Sequence, residues 1–389
     1  MKLTKKITSL EESLTLAITA IAKGLKAEGK DVISFSAGEP DFDTPKAVKQ
    51  AAIDAINKGC SAYTPVPGMP SVLEAIVNKL KKDNNLTYST SDIITNAGAK
   101  HSLFNAIAAL VEEGDEVLIP VPYWVSYPEI VKYHGGTPVF IYPSDGLKIT
   151  ADDLKKHINA NTKMFILNNP SNPTGEIYTK DELLAFAKVL EGTDIVVLSD
   201  EIYEKLSYDV EFVSFASLRK DAYDRTVTIN GLSKCAAMPG WRFGYSASGN
   251  KELNKVMKNL QGQCTSNINT IVQHAAISAL RGDIDEDIKY MNSHFIRRRD
   301  IACKMLSEID GIKFSKPAGA FYIFMDIKAI TEDDMDFCKR LLEEKLVAMV
   351  PGIGFGMSGY IRMSYATSEE NIKTGLARLQ KFVKEYKKG

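Results

Sequence analysis

The sequence predicts an α/β protein with a large doubly wound domain built on a mostly parallel sheet and a smaller α+β domain. Three observations carry this reading. Between roughly residues 45 and 280, helical patterns alternate with short β-rich runs, as they do when helices cover both faces of a sheet. Those runs are about four to six residues long and do not alternate cleanly between apolar and polar positions, the habit of strands buried on both sides. After about residue 285 the texture changes to long charged helices enclosing two short strands. A chain of 389 residues suits two such domains.

Taken in order, the N-terminus carries Lys2, Lys5 and Lys6 ahead of an apolar stretch from Leu14 to Ala22, superficially like a secretory signal. Glu11 and Glu12 stand between the basic and apolar parts, where such signals avoid acids. Leu14, Ala17, Ile18, Ile21, Ala22 and Leu25 recur at helical spacing, so the stretch reads as an amphipathic helix docked by one apolar stripe. A helix is expected over Ser71–Lys82, a strand over Asp92–Asn96 and a second helix over Ser102–Glu113, stopped by Gly114. Buried strands follow at Glu116–Ile119, Pro138–Tyr142, Met164–Leu167, Ile195–Leu198 and Val227–Ile229, and the last, Arg242–Ser246, comes after a Pro-Gly turn. A long helical stretch around Ile271–Arg299 joins the second part. There, helices near Phe295–Glu308, Asp334–Lys345 and Glu369–Lys387 enclose strands at Phe321–Met325 and Tyr360–Ser364.

Composition excludes several kinds of protein. Hydrophobic residues make up 44% and charged residues 25%, near the globular average, which argues against disorder or a fibrous repeat. Lys and Arg number 48 against 49 Asp and Glu, a net charge of −1, so no nucleic-acid or membrane-surface partner is expected. No apolar run is long enough to span a bilayer. The five cysteines are odd in number and widely spaced without a C-x-x-C pair, which fits neither a disulfide framework nor a zinc site and suits a reducing cytoplasm. The five histidines are scattered, and no metal site is expected.

Ligands of open α/β sheets bind at the carboxyl ends of the strands, and the polar residues standing there are informative. Ile195–Leu198 leads into Ser199-Asp200-Glu201-Ile202-Tyr203, and Met164–Leu167 into Asn168 through Asn172 to Gly175. Asp92–Asn96 leads into Ala97-Gly98-Ala99-Lys100, and Val227–Ile229 into Gly231-Leu232-Ser233-Lys234, with Arg242 eight residues beyond. These groups meet the needs of pyridoxal 5'-phosphate. Lys234 is a primary amine for the aldehyde. Asp200 is a carboxylate that keeps the pyridine nitrogen protonated. Tyr203 and Asn172 are donors for the phenolic oxygen. Gly98 and Ala99 open a helix toward the phosphate, and Arg242 brings a bidentate guanidinium.

The stretch Asn230-Gly-Leu-Ser-Lys234-Cys-Ala-Ala-Met-Pro-Gly-Trp-Arg242-Phe-Gly244 resembles the lysine signature of class I (fold-type I) pyridoxal-phosphate aminotransferases. Ser36-Ala-Gly38-Glu-Pro-Asp-Phe42, Asn172-Pro-Thr-Gly175, Ser199-Asp-Glu-Ile-Tyr203 and Tyr360-Ile-Arg362-Met-Ser-Tyr-Ala366 resemble further motifs of that family, in its order. Pro122-Tyr-Trp124-Val-Ser-Tyr-Pro128 and the Leu346–Gly352 stretch are similar to the bacterial-type aspartate aminotransferases within it. Two departures stand out: Gly231, where many members carry serine, and Phe243, where an aliphatic residue is usual.

The resemblance implies roles. Lys234 holds the cofactor and then acts as the base, Asp200 pairs with the pyridinium, and Tyr203 and Asn172 contact the phenolic oxygen. Trp124 stacks on the ring, while Gly98, Ala99, Ser233 and Arg242 hold the phosphate. Arg362 clamps the substrate α-carboxylate, helped by the Gly38 backbone N–H. Lys100, with Thr15, either grips the distal carboxylate of aspartate or glutamate or simply neutralises the phosphate. Tyr63 is lent to the partner subunit's phosphate site, which implies an obligate homodimer. Residues 1–45 and 286–389 form the arm and small domain around a large domain of residues 46–285. The expected reaction is transamination between an L-amino acid, aspartate or glutamate by preference, and a 2-oxo acid such as 2-oxoglutarate or oxaloacetate. The alternatives are aromatic amino acids or prephenate, or a β-lyase on the same scaffold. A competing G-x-G-x-x-G match at Gly354–Gly359 leads into a strand rather than a helix, so it is read as a flexible loop near the substrate and not a dinucleotide site.

Overall fold

The computed structural model describes residues 1, 3–8, 10–11 and 13–386; Lys2, Glu12 and Lys387 of the sequence reading lie outside the described residues. Seven strands make the central sheet: β1 (Ile93–Asn96), β2 (Glu116–Pro120), β3 (Thr137–Ile141), β4 (Thr162–Asn168), β5 (Val196–Asp200), β6 (Thr226–Gly231) and β7 (Gly244–Ala247). They lie in the order β1-β7-β6-β5-β4-β2-β3. All neighbours run parallel except β7, which is antiparallel to both β1 and β6. The absence of polar alternation follows from helices on both faces. Met164 and Ile166 of β4 enter one core with the helices Ala99–Leu110 and Lys251–Cys264, and Phe165 and Leu167 enter another with the helix Lys180–Leu190.

The C-terminal part carries a four-stranded antiparallel sheet ordered Val350–Pro351, Tyr360–Ser364, Tyr322–Asp326, Lys313–Phe314. The N-terminal segment forms a separate two-stranded sheet with the C-terminal part, Ile33–Ser34 pairing in parallel with Val347–Ala348, and Phe35, fully buried, lies against Gly375 of the last helix, where an added Cβ would sit 2.4 Å from its ring. Asp41 receives two hydrogen bonds from Arg298 of the helix Asp285–Leu306, at 2.7 and 3.0 Å. The N-terminal segment and the C-terminal part therefore pack together.

Four local expectations are corrected. The helix expected from Ser102 begins at Ala99, because Gly98 at φ +85° turns the chain directly out of β1. The last strand begins at Gly244 rather than Arg242, which takes φ +59° to fold back on Gly98. The joining helix is two helices, Thr270–Arg281 and Asp285–Leu306, parted by Gly282 in a left-handed C-terminal cap. In the N-terminal helix Leu14–Ala27, Ile21 is 53% exposed; the buried face is Ile18, Ala22 and Leu25 against Val32, Leu342 and Ala348. Among the described residues no helix is long and apolar enough to cross a membrane, no group of side chains could hold a metal ion, and all five cysteines are free.

The Phe35 side chain tethers the N-terminal segment by burial, beside the backbone hydrogen bonds that Phe35 makes with Ala348 and Ser364 at 2.8 Å. Phe35→Ala is expected to cost about 3–5 kcal/mol, read as a lower urea midpoint at unchanged slope; a midpoint within error of the parent refutes this tether.

Candidate active site

The carboxyl ends of β4, β5 and β6 meet the C-terminal sheet at a cavity of about 430 Å3. Asp200 ends β5, in register with Asn168 of β4 and Ile229 of β6. Its carboxylate is buried and accepts from the Tyr127 hydroxyl at 2.7 Å and the Ile202 N–H at 3.3 Å. Burial pushes its carboxyl up to about 6, against the pull of those donors and of Lys234. Behind it, the Asn168 amide donates to the Asp200 carbonyl at 3.1 Å and accepts from the Asn172 N–H at 2.8 Å, which fixes the turn that carries Asn172.

Lys234, half-buried, donates to the Gly38 carbonyl at 2.5 Å, and its ammonium lies 5.8 Å from the Tyr203 ring centroid. Desolvation brings its pKa down to about 8; Glu39 and Asp200 oppose the shift, and Arg362 and Arg242 reinforce it. Such an amine is partly neutral near physiological pH and can take up a proton.

Arg362 is 1% exposed. It donates to the Asn172 side-chain carbonyl at 2.9 Å and the Ser36 carbonyl at 2.8 Å, and lies 4.5 and 4.9 Å from the Tyr322 and Phe355 ring centroids. Among the described residues no carboxylate pairs with it, and its Nε is buried without a partner. Because Asn172 spends its carbonyl on Arg362, its amide N–H groups are left to face the cavity.

At the other end, Gly98 caps the helix Ala99–Leu110, whose first N–H groups have no intrahelical acceptor. The Arg242 guanidinium lies against Gly98, donating to the carbonyls of Pro239 at 2.8 Å and Ala97 at 3.3 Å. A Cβ on residue 98 would sit 2.3 Å from Arg242 Nη2, so only glycine admits this cradle. The helix N-terminus, the guanidinium and the buried Ser233 line the same cavity and have the donors an anion needs. Trp124 covers the cavity between the two ends, edge-on to Tyr127 at 5.3 Å, with the Lys100 ammonium 4.9 Å from its ring centroid. Thr15 also lines the cavity, and its hydroxyl is buried without a partner among the described residues. Carboxylate, amine, amide donors and anion cradle form a set into which pyridoxal phosphate fits group by group.

Residues 30–379 match the family described as aminotransferase class I and II. The chain belongs to that family. The aminotransferase is 45% identical to the aspartate aminotransferase of Bacillus sp. (strain YM-2), over 98% of this chain and 99% of that protein. It is 46% identical to the probable aspartate/prephenate aminotransferase of Rhizobium leguminosarum bv. phaseoli, over 97% of each. Among solved structures it resembles the aspartate aminotransferase from Thermus thermophilus with maleate, at a TM-score of 0.94 and 38% identity over 98% of this chain and 99% of that one. Membership implies dependence on pyridoxal phosphate.

In the aminotransferase, Thr15, Gly38, Ala99, Lys100, Trp124, Asn172, Asp200, Tyr203, Ser233, Lys234, Arg242 and Arg362 all line the one cavity. Gly98 stands behind its wall. Tyr63 does not line it and is 91% exposed. The sequence reading missed Tyr127, Tyr322 and Glu39; Tyr127 lies within the quoted Pro122–Pro128 motif, while nothing local marks Tyr322. The Gly354–Gly359 segment is held in place rather than loose: Phe355 is fully buried beneath Arg362, and its carbonyl accepts from the Tyr123 N–H at 3.1 Å. Gly231 has a steric reason, since a Cβ there would lie 2.7 Å from the Phe243 carbonyl oxygen.

Asp200 carries a pH consequence. Its folded value near 6 exceeds the ordinary 3.8, so its stabilising contribution is full below about 3.8 and is lost as pH rises through 6. At pH 7.5 the cofactor-free Asp200→Asn variant should therefore be more stable than the parent by up to about 3 kcal/mol. An unchanged or lower urea midpoint contradicts this.

Proposed function

We propose that this aminotransferase uses pyridoxal 5'-phosphate to move an amino group between an L-amino acid, preferentially aspartate or glutamate, and a 2-oxo acid such as 2-oxoglutarate or oxaloacetate. One observation carries the reading: Lys234, Asp200 and Arg362 converge on a single cavity, each withdrawn from water and none in an ion pair among the described residues. When bound, the cofactor supplies an aldehyde that bonds amino groups and a ring that draws electron density from the substrate α-carbon. Asp200 would keep a proton on the ring nitrogen, and Tyr127 holds that carboxylate in place. Tyr203 and Asn172 offer donors to the phenolic oxygen. Gly98, Ala99, Ser233 and Arg242 would hold the phosphate, and Trp124 would cover the ring. Arg362 binds the α-carboxylate with the N–H groups left over from Asn172 and Ser36, assisted by Gly38. Lys234, tethered to Gly38 and with its basicity lowered, takes the α-proton and returns it, acting at high effective concentration.

Preference for a dicarboxylate is supported by Lys100 and Thr15. Among the described residues the Lys100 ammonium rests on Trp124 in no ion pair and the Thr15 hydroxyl lacks a partner, so both can turn to a distal carboxylate. The apolar wall of Leu16, Leu103 and Val125 beside Trp124 favours a second reading, aromatic amino acids or prephenate. A cytoplasmic homodimer is supported by the free cysteines and by the exposed apolar side chains of Ile53, Ile56 and Tyr63. Tyr63 would reach the phosphate site of a second copy.

Borohydride should label the wild-type enzyme at Lys234, and Lys234→Ala should lower transamination by at least about 10²–10⁴-fold; near-parental turnover refutes the assignment. Lys100→Ala should cost kcat/KM for aspartate at least about tenfold more than for phenylalanine; equal losses refute a distal-carboxylate role.

A further inference from the structure

Tyr322 touches three parts of the site that come from different stretches of chain. It lies on the strand Tyr322–Asp326, opposite Ser364 and diagonal to Arg362, which faces Phe324. Its side chain is fully buried. Its hydroxyl is 2.8 Å from the Tyr203 hydroxyl, with the two rings edge to face at 5.9 Å and 80°. The same hydroxyl lies 3.0 Å from where a Cβ on residue 38 would be, so it packs tightly against the glycine whose carbonyl holds Lys234. The ring supports the Arg362 guanidinium at 4.5 Å.

We propose that Tyr322 is a positioning residue for transamination, whose hydroxyl commits the Tyr203 proton to the cavity and whose ring holds Arg362 in place. Each phenol has one proton to give, so the Tyr203–Tyr322 hydrogen bond can run in only one direction at a time. Once an anionic oxygen in the cavity accepts from Tyr203, the direction is set: Tyr322 donates to Tyr203, and Tyr203 donates inward. A hydroxyl that accepts a hydrogen bond is a stronger donor, so Tyr322 strengthens the contact of Tyr203 without touching the cofactor. The charged and titratable groups facing the pair are Arg362, Lys234, Asp200, Glu39 and Tyr127. None of them takes the place of the Tyr322 hydroxyl on Tyr203.

The inference rests on the pyridoxal-phosphate reading, and a single titration distinguishes the failure of either. The visible absorbance of the holoenzyme's bound cofactor is followed against pH for the wild type, Tyr322→Phe, Tyr203→Phe and the double variant. Hydrogen bonds to an anionic oxygen favour its deprotonated form, so Tyr322→Phe should raise the apparent pKa of the band by about half a unit. Tyr203→Phe should raise it further, and adding Tyr322→Phe to Tyr203→Phe should move it no more. Tyr322→Leu, which also removes the ring under Arg362, should titrate like Tyr322→Phe but show a several-fold higher KM for the amino donor. A titrating wild type with an unshifted Tyr322→Phe, or a shift that persists without the Tyr203 hydroxyl, overturns this inference alone. A wild type that takes up no pyridoxal phosphate overturns the parent reading and this one with it.

Discussion

Unpaired charge withdrawn from water is the constraint around which the rest of the molecule is arranged. Asp200, Lys234 and Arg362 each pay a desolvation cost that no fixed counter-charge among the described residues removes. The other buried cations are paired instead. Lys79 and Glu204 are buried together as an ion pair with Asn84 completing the set, and buried Arg298 is matched in both arms of its guanidinium by Asp41. Lys79 and Arg298 are thus paired within the fold, whereas Asp200, Lys234 and Arg362 around the cavity are left unpaired among the described residues.

Keeping such groups apart yet aimed at one point needs a stiff frame. The parallel strands supply it: Asn168, Asp200 and Ile229 stand side by side in register, so the turn bearing Asn172 and the turn bearing Tyr203 leave the sheet at the same level. The antiparallel β7 then carries the chain back from the Lys234 turn, and Arg242 just before it adopts a left-handed conformation to reach Gly98. The remaining wall comes from the C-terminal sheet and the N-terminal segment, joined by the Ile33–Ser34 pairing and by Phe35. Ser36 and Gly38, a few residues beyond, touch Arg362 and Lys234 respectively, so docking of the chain's beginning directly shapes the site.

Much of the site was legible because its polar residues stand immediately after apolar strands, where an α/β sheet exposes them. Lys234, Asp200, Asn172 and Arg242 are found that way, and Arg362 through the motif around it. Tyr322 and Glu39 were not, because each matters only through neighbours far away in sequence, Tyr203 and Lys234. Helix ends were misjudged where a single backbone conformation decided them, as at Gly98 and Gly282. Ile21 looked like part of the apolar stripe, yet the packing of Ile18, Ala22 and Leu25 against Leu342 and Ala348 turned it outward.

By itself, then, the sequence determined the α/β class, the order of the elements and the chemical groups available, since periodicity and residue type are local properties. Only the tertiary structure decided which of those groups lack partners. Burial and hydrogen-bond completion depend on what the whole fold brings alongside: Tyr127 to Asp200, Gly38 to Lys234, Asn172 to Arg362. Burial makes an ordinary lysine a weakened base, and among the described residues it leaves Asp200 without a paired cation and Arg362 without a paired anion.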